Sequence, residues 1–143
     1  MQFNRDSKTV QLCAQGMELE GQGQTSAAMQ LFLQAWETAD NDTDKFTAAH
    51  YVARHQATVE GKLKWDEIAL QLALGINDNN VKSTYPSLYL NVAKCYEDLQ
   101  DPNNAMKHYE HAASFTPFLP DDGYGNMIRS GIMKGIERIK PLL

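Results

Sequence analysis

Ser87 to Pro117 reads SLYLNVAKCYEDLQDPNNAMKHYEHAASFTP. Two apolar stripes run through it. Tyr89, Val92, Ala93 and Tyr96 recur at spacings of three, one and three, which sets them on one face of a helix. Ala105, Tyr109 and Ala112, at spacings of four and three, make a second stripe. Between them, Leu99-Gln100-Asp101-Pro102 ends one helix and starts the next. Pro102 suits a first-turn position, where its missing N–H would have had no partner. Pro117 stops the second helix. Small residues at Ala93, Ala105 and Ala112 let the two helices approach closely, and Tyr96 and Tyr109 fill the gaps between them.

The same order recurs near the N-terminus. Leu12, Gly16 and Leu19 stand as Tyr89, Ala93 and Tyr96 do, and Ala28, Phe32 and Ala35 stand as Ala105, Tyr109 and Ala112 do. Gly16 to Ala28 and Ala93 to Ala105 are both twelve residues apart. A first helix is expected over 5–21, a turn at Glu20–Gly23, and a second helix capped by Thr25 or Ser26. Gly16 costs a helix interior roughly 1 kcal/mol against alanine; close packing is the reason to keep it. Trp36 is expected to pack on a neighbouring helix. The middle of the chain is looser. Phe46, Ala49, Val52 and Ala53 form a stripe. Ala69, Ala73 and Ile76 take the places of alanine, aromatic and alanine, and Trp65 supplies the volume that Ala73 lacks. Ala53 to Ala69 is sixteen residues, which predicts an extended connection around Glu60-Gly61-Lys62. Taking Ala57 as the small residue restores twelve but puts Gln56 and Glu60 on the buried stripe. Burying an unpaired carboxylate is costly, so Ala53 is preferred.

A helix–turn–helix of about 34 residues, with an aromatic, a small residue and tyrosine on its first helix, is the pattern of the tetratricopeptide repeat. Its second helix carries alanine, a large aromatic and alanine, and proline closes the unit. Tyr89, Ala93, Tyr96, Ala105, Tyr109, Ala112 and Pro117 all match, and the chain closely resembles that family over about residues 9–117. The resemblance implies repeats at about 9–42, 43–78 and 83–117. Beyond FLPDDGYG, a seventh helix over about 122–140 carries Ile128, Ile132, Ile136 and Ile139 on one face, with Gly131 and Gly135 for close approach to the second helix of the third repeat. Asp121 and Asp122 complement its N-terminal dipole, and Lys134, Arg138 and Lys140 its C-terminal end. A repeat array needs such a terminal helix with one polar face. The implied fold class is all-α: a right-handed superhelical array of three hairpins plus a C-terminal capping helix, in one domain over 1–143.

Composition narrows the function classes. The chain has 143 residues, 43% of them hydrophobic, enough for a continuous core. No run of about 18 apolar residues occurs, so no membrane span is expected. MQFNRDSKTV lacks an apolar signal region, so a cytoplasmic location is expected. Cys13 and Cys95 lack metal-ligand spacing and sit inside helical patterns, as reduced thiols do. The net charge of −5 disfavours nucleic acid, whose phosphates need a basic stripe.

No catalytic constellation emerges. No glycine-rich phosphate loop joins a strand to a helix. His50, Arg54 and His55 are close in sequence, and His108 and His111 lie three apart, but neither group has a third metal ligand in view. No metal or other cofactor is expected. The resemblance points instead to a surface, since in this family the first helices of the repeats line a groove that holds an extended peptide or a partner helix. It implies Cys13 and Met17, with Val10 and Glu20, in the first repeat. The second would offer His50, Tyr51 and Arg54, with Thr47 and Ala57. The third would offer Leu90, Asn91 and Lys94, with Ser87 and Glu97. The family's carboxylate clamp needs lysine and asparagine where Cys13 and Met17 stand, and lysine and arginine where Ser87 and Asn91 stand, so it is absent. The expected groove is half apolar and half basic, suited to an acidic protein or peptide partner. The expected function is a non-enzymatic interaction scaffold. The alternatives are an accessory domain or small enzyme using His50, Arg54 and His55, or a module that self-associates as a homodimer.

Overall fold

Ser7 sets the first boundary. Its hydroxyl accepts the Val10 amide, satisfying one of the donors that a helix start leaves open, and α1 then runs Lys8–Gly21. The computed structural model describes residues 6–143, so the expected helical start at residue 5 lies outside the described residues. Six more α-helices follow, and among the described residues there is no strand. The chain divides between Ile76 and Asn77 into two compact units.

In the first unit, Gly23 at φ +78° turns the chain into α2, Thr25–Thr38. Gln24 holds the N-cap position without a side-chain bond, and Thr25 lies inside the helix, so the expected hydroxyl cap does not form. Gly16 lies against Phe32, where a Cβ would run into the ring. Ala28, Phe32 and Ala35 are fully buried. Asn41 caps α3, Asp42–Ala53, by accepting the Asp44 amide, and Thr58 caps α4, Val59–Gly75, by accepting that of Gly61. The Thr58 cap moves the expected connection. Glu60-Gly61-Lys62 forms the first turns of α4, and the non-helical stretch is Arg54–Thr58. Ala53 is buried and Ala57 exposed. Ile76 lies beyond the helix, as its C-cap. Leu12, Cys13, Phe32, Ala48 and Val52 meet in one core, and Trp36 meets Trp65 edge-on at 5.1 Å beside it.

In the second unit, Asp78 caps a 3-10 turn, Asn79–Thr84, which overlaps the expected start of the third repeat at about residue 83. Helix α5 is Tyr85–Asp98, with Pro86 in its first turn. Gln100 turns the chain at φ +62°, and Asp101 caps α6, Pro102–Ser114, by accepting the Asn104 amide. Pro117 lies in a second 3-10 turn, Thr116–Phe118. Asp122 then caps α7, Gly123–Ile139, through the Gly125 amide. Ala105, Tyr109 and Ala112 are fully buried. Ile128, Ile132 and Ile139 of α7 are buried, with Ile136 half-buried beside them. A Cβ on Gly135 would strike the Tyr109 ring, and one on Gly131 would lie 3.3 Å from Leu90. Helix α7 thus packs on both helices of the hairpin rather than on α6 alone.

Candidate functional site

Helices α1 and α3 end beside each other, and their ends carry opposite charges. Glu20, in the last turn of α1, receives Arg54 Nη1 on one carboxylate oxygen at 3.2 Å and His55 Nε2 on the other at 2.5 Å. Arg54 lies just past α3 and also sits over the Tyr51 ring, 5.1 Å from its centroid. Tyr51 and His55 in turn stack on Phe32, at 5.1 and 6.1 Å between centroids. The cluster is therefore a carboxylate, a guanidinium and an imidazole seated on an aromatic base. The Arg54 side chain stays 46% exposed, which leaves it able to meet a second acceptor. Burial pushes the Tyr51 hydroxyl above its ordinary pKa, against the lowering effect of Arg54. Met17 of α1 is also exposed.

His50 has a different setting. Its ring is mostly buried, edge-on to Tyr51, and its Nδ1 is buried without a hydrogen-bond partner. Burial, assisted by Arg54 and Lys62 and opposed by Asp66, holds its pKa below the ordinary histidine value. The expected grouping of His50 with Arg54 and His55 is therefore divided: Arg54 and His55 share Glu20, while His50 belongs to the core side of α3. Cys13 also departs from expectation. It is 2% exposed and packs in the core of the first unit rather than lining a groove. Burial, with the charge of Asp44 adding to it, pushes its thiol up to about 12. Such a thiol is no nucleophile at neutral pH.

Of the residues expected in the third repeat, Leu90 packs against Gly131 and the isoleucine face of α7, which takes it out of any open groove. Glu97 is bound by Arg138 and Tyr109. Lys94 is exposed and paired with Asp98 at 2.7 Å, and Asn91 is half-exposed. His108 and His111 stand beside Tyr96 and Tyr89 in a run of rings, with His111 stacked on Tyr89 at 5.2 Å. Among the described residues, no three or more of His, Cys, Asp and Glu are grouped to hold a metal ion. An ion pair on a buried carboxylate escaped the sequence reading. Asp66 is 2% exposed and paired with Lys62 at 2.5 Å. The i,i+4 spacing of the two was the available signal.

A family model, the tetratricopeptide repeat, matches residues 86–118. No match to the chain was found among curated proteins or solved structures. The matched segment is the α5/α6 hairpin, in which Ala93, Ala105, Tyr109 and Ala112 are buried and Tyr89 and Tyr96 half-buried. Residues 86–118 are thus similar to one tetratricopeptide repeat, within a chain whose described elements are all helical.

Proposed function

We propose that this chain is a non-enzymatic scaffold that binds a protein partner through an extended peptide or a helix lying on the first helix of a hairpin. The repeat at residues 86–118 carries the proposal, because repeats of this kind bind protein partners. The peptide would combine an acidic and an apolar residue. Arg54 supplies a charge-assisted donor for a carboxylate, seated on Tyr51 so that its planar face is already oriented. Met17 supplies a flexible apolar contact. Asn91 and Lys94 are the corresponding polar and basic residues of the matched repeat. Cys13 and Cys95, buried and outside any disulfide, suit a cytoplasmic, reducing location.

An array of peptides that pair acidic with apolar residues tests this. Wild-type protein should retain such peptides. Arg54→Ala with Asn91→Ala should weaken retention about tenfold or more, with the melting temperature nearly unchanged, since the Arg54–Glu20 pair is exposed and worth about 0–1 kcal/mol. Undiminished retention would place binding elsewhere. Retention of neutral peptides alone would overturn the acidic preference.

A further inference from the structure

Helix α4 buries Asp66, Ala69, Leu70 and Ala73. Another side of it borders an open groove of about 710 Å³, lined by Glu60, Leu63, Lys64, Glu67, Ile68 and Gln71, with Leu72 at its end. The residues have an order of their own. From the point between Trp65 and Asp66, Lys64 and Glu67 are equally distant, as are Leu63 and Ile68, and Glu60 and Gln71. Charge is thus matched with opposite charge, apolar with apolar and polar with polar about one midpoint.

We propose that this stripe is the two-fold interface of a homodimer in which α4 packs antiparallel against α4 of a second copy. A two-fold interface uses the same patch on both partners, with residue i meeting j while j meets i. With the axis at the midpoint, Lys64 stands level with Glu67 of the second copy, and Leu63 with Ile68, each pairing occurring twice. A parallel arrangement would set Lys64 beside Lys64 and glutamate beside glutamate. An acidic peptide would meet Glu60 and Glu67, and a basic one Lys64; an antiparallel copy instead sets Lys64 level with Glu67 and Glu60 level with the amide of Gln71. The chain carries a net charge of −5, so two copies repel at long range and need compensating contacts where they meet. One pair of helices covers less than the 1,200–2,000 Å² or so of a stable complex. The dimer therefore belongs to the weak class, forms as concentration rises, and loosens with salt, which screens exposed pairs.

Sedimentation velocity across a concentration series tests this on the full chain. Wild type should pass from monomer to dimer. Lys64→Glu and Glu67→Lys should each weaken dimerisation by about tenfold or more, because each sets like charges level twice. The double swap, Lys64→Glu with Glu67→Lys, should restore it, and circular dichroism checks that each variant is folded. Restoration distinguishes a direct contact from a general loss of stability, which a second substitution would worsen. A wild type that stays monomeric at every concentration overturns the proposal. So does a dimer indifferent to both single changes, or a double swap that fails to recover.

Discussion

The Tyr109 hydroxyl donates a hydrogen bond to Glu97 Oε1 at 2.6 Å. Arg138 reaches the same carboxylate from α7, with Nε on Oε2 at 2.8 Å and Nη2 on Oε1 at 3.1 Å. One residue from each of α5, α6 and α7 is therefore tied at a single point, at the edge of a fully buried ring. A charged acceptor makes these bonds stronger than neutral ones, and the two-pronged contact of Arg138 fixes the angle at which α7 arrives.

Tyr109→Ala should cost about 3–5 kcal/mol of stability, as the loss of a large buried ring does. Tyr109→Phe should cost about 1–2 kcal/mol, because the ring stays and only the hydroxyl bond is lost. Urea unfolding followed by circular dichroism gives both values. If the two variants lose equal stability, packing of the ring is not the main contribution.

Glu97 should make stability depend on acid. The Arg138 hydrogen bond, ahead of the Tyr109 bond, holds its carboxyl below the ordinary glutamate pKa. A carboxyl whose folded pKa is depressed contributes stability above its unfolded value, near 4.5 for an ordinary glutamate, and loses it as pH falls through the lower folded value. Wild type should accordingly lose stability over that acid window. Glu97→Gln should be less stable at neutral pH and show a flatter slope below pH 4.5. Melting curves across that range would settle it; parallel curves for the two proteins count against the linkage.

Gly16→Ala and Gly135→Ala should both destabilise, although alanine favours a helix by roughly 1 kcal/mol. The new methyl would meet Phe32 in one case and Tyr109 in the other, both fully buried, and overpacking of that kind costs about 1–3 kcal/mol. Gly75→Ala, with nothing within 4 Å of the added carbon, should be neutral or mildly stabilising. Thermal melts of the three variants check the order.

Removal of α7 by truncation after Pro120 should cause aggregation or a large fall in melting temperature. It would uncover Tyr109, Ala112 and Leu90, which now lie against Ile132, Ile136 and Ile139. Burial of such side chains contributes roughly 1.5–3 kcal/mol each. A soluble truncated protein with unchanged melting would show that α7 is dispensable.

Cys13 should resist alkylation in the native protein, since its thiol is buried and pushed up to about 12. Cys95, also buried, should behave likewise. Mass spectrometry after iodoacetamide should find neither modified until denaturant is added. Rapid native labelling of Cys13 would show that its surroundings open.

The spacing of apolar residues determined the helices, because the 3.6-residue period is a local property that three or four consecutive side chains reveal. Gly16 with Phe32 was legible for the same reason: a small residue on one helix and a large ring on the next, at a repeated interval, specify a close crossing. The isoleucine face of α7 was legible as well. Only the tertiary structure decided what each side chain just off those stripes does. Glu20 and Arg54 are 34 residues apart, and Glu97 and Arg138 are 41 apart. Cys13 sits among core residues, and Leu90 lies under α7. A residue at the border of a stripe turns inward or outward by a few tens of degrees of helix rotation and by which neighbour arrives beside it. Charges find partners across crossings whose angles come from the packing of whole helices. Local periodicity carries neither quantity, so the helices could be read from the sequence while the partners of their border residues could not.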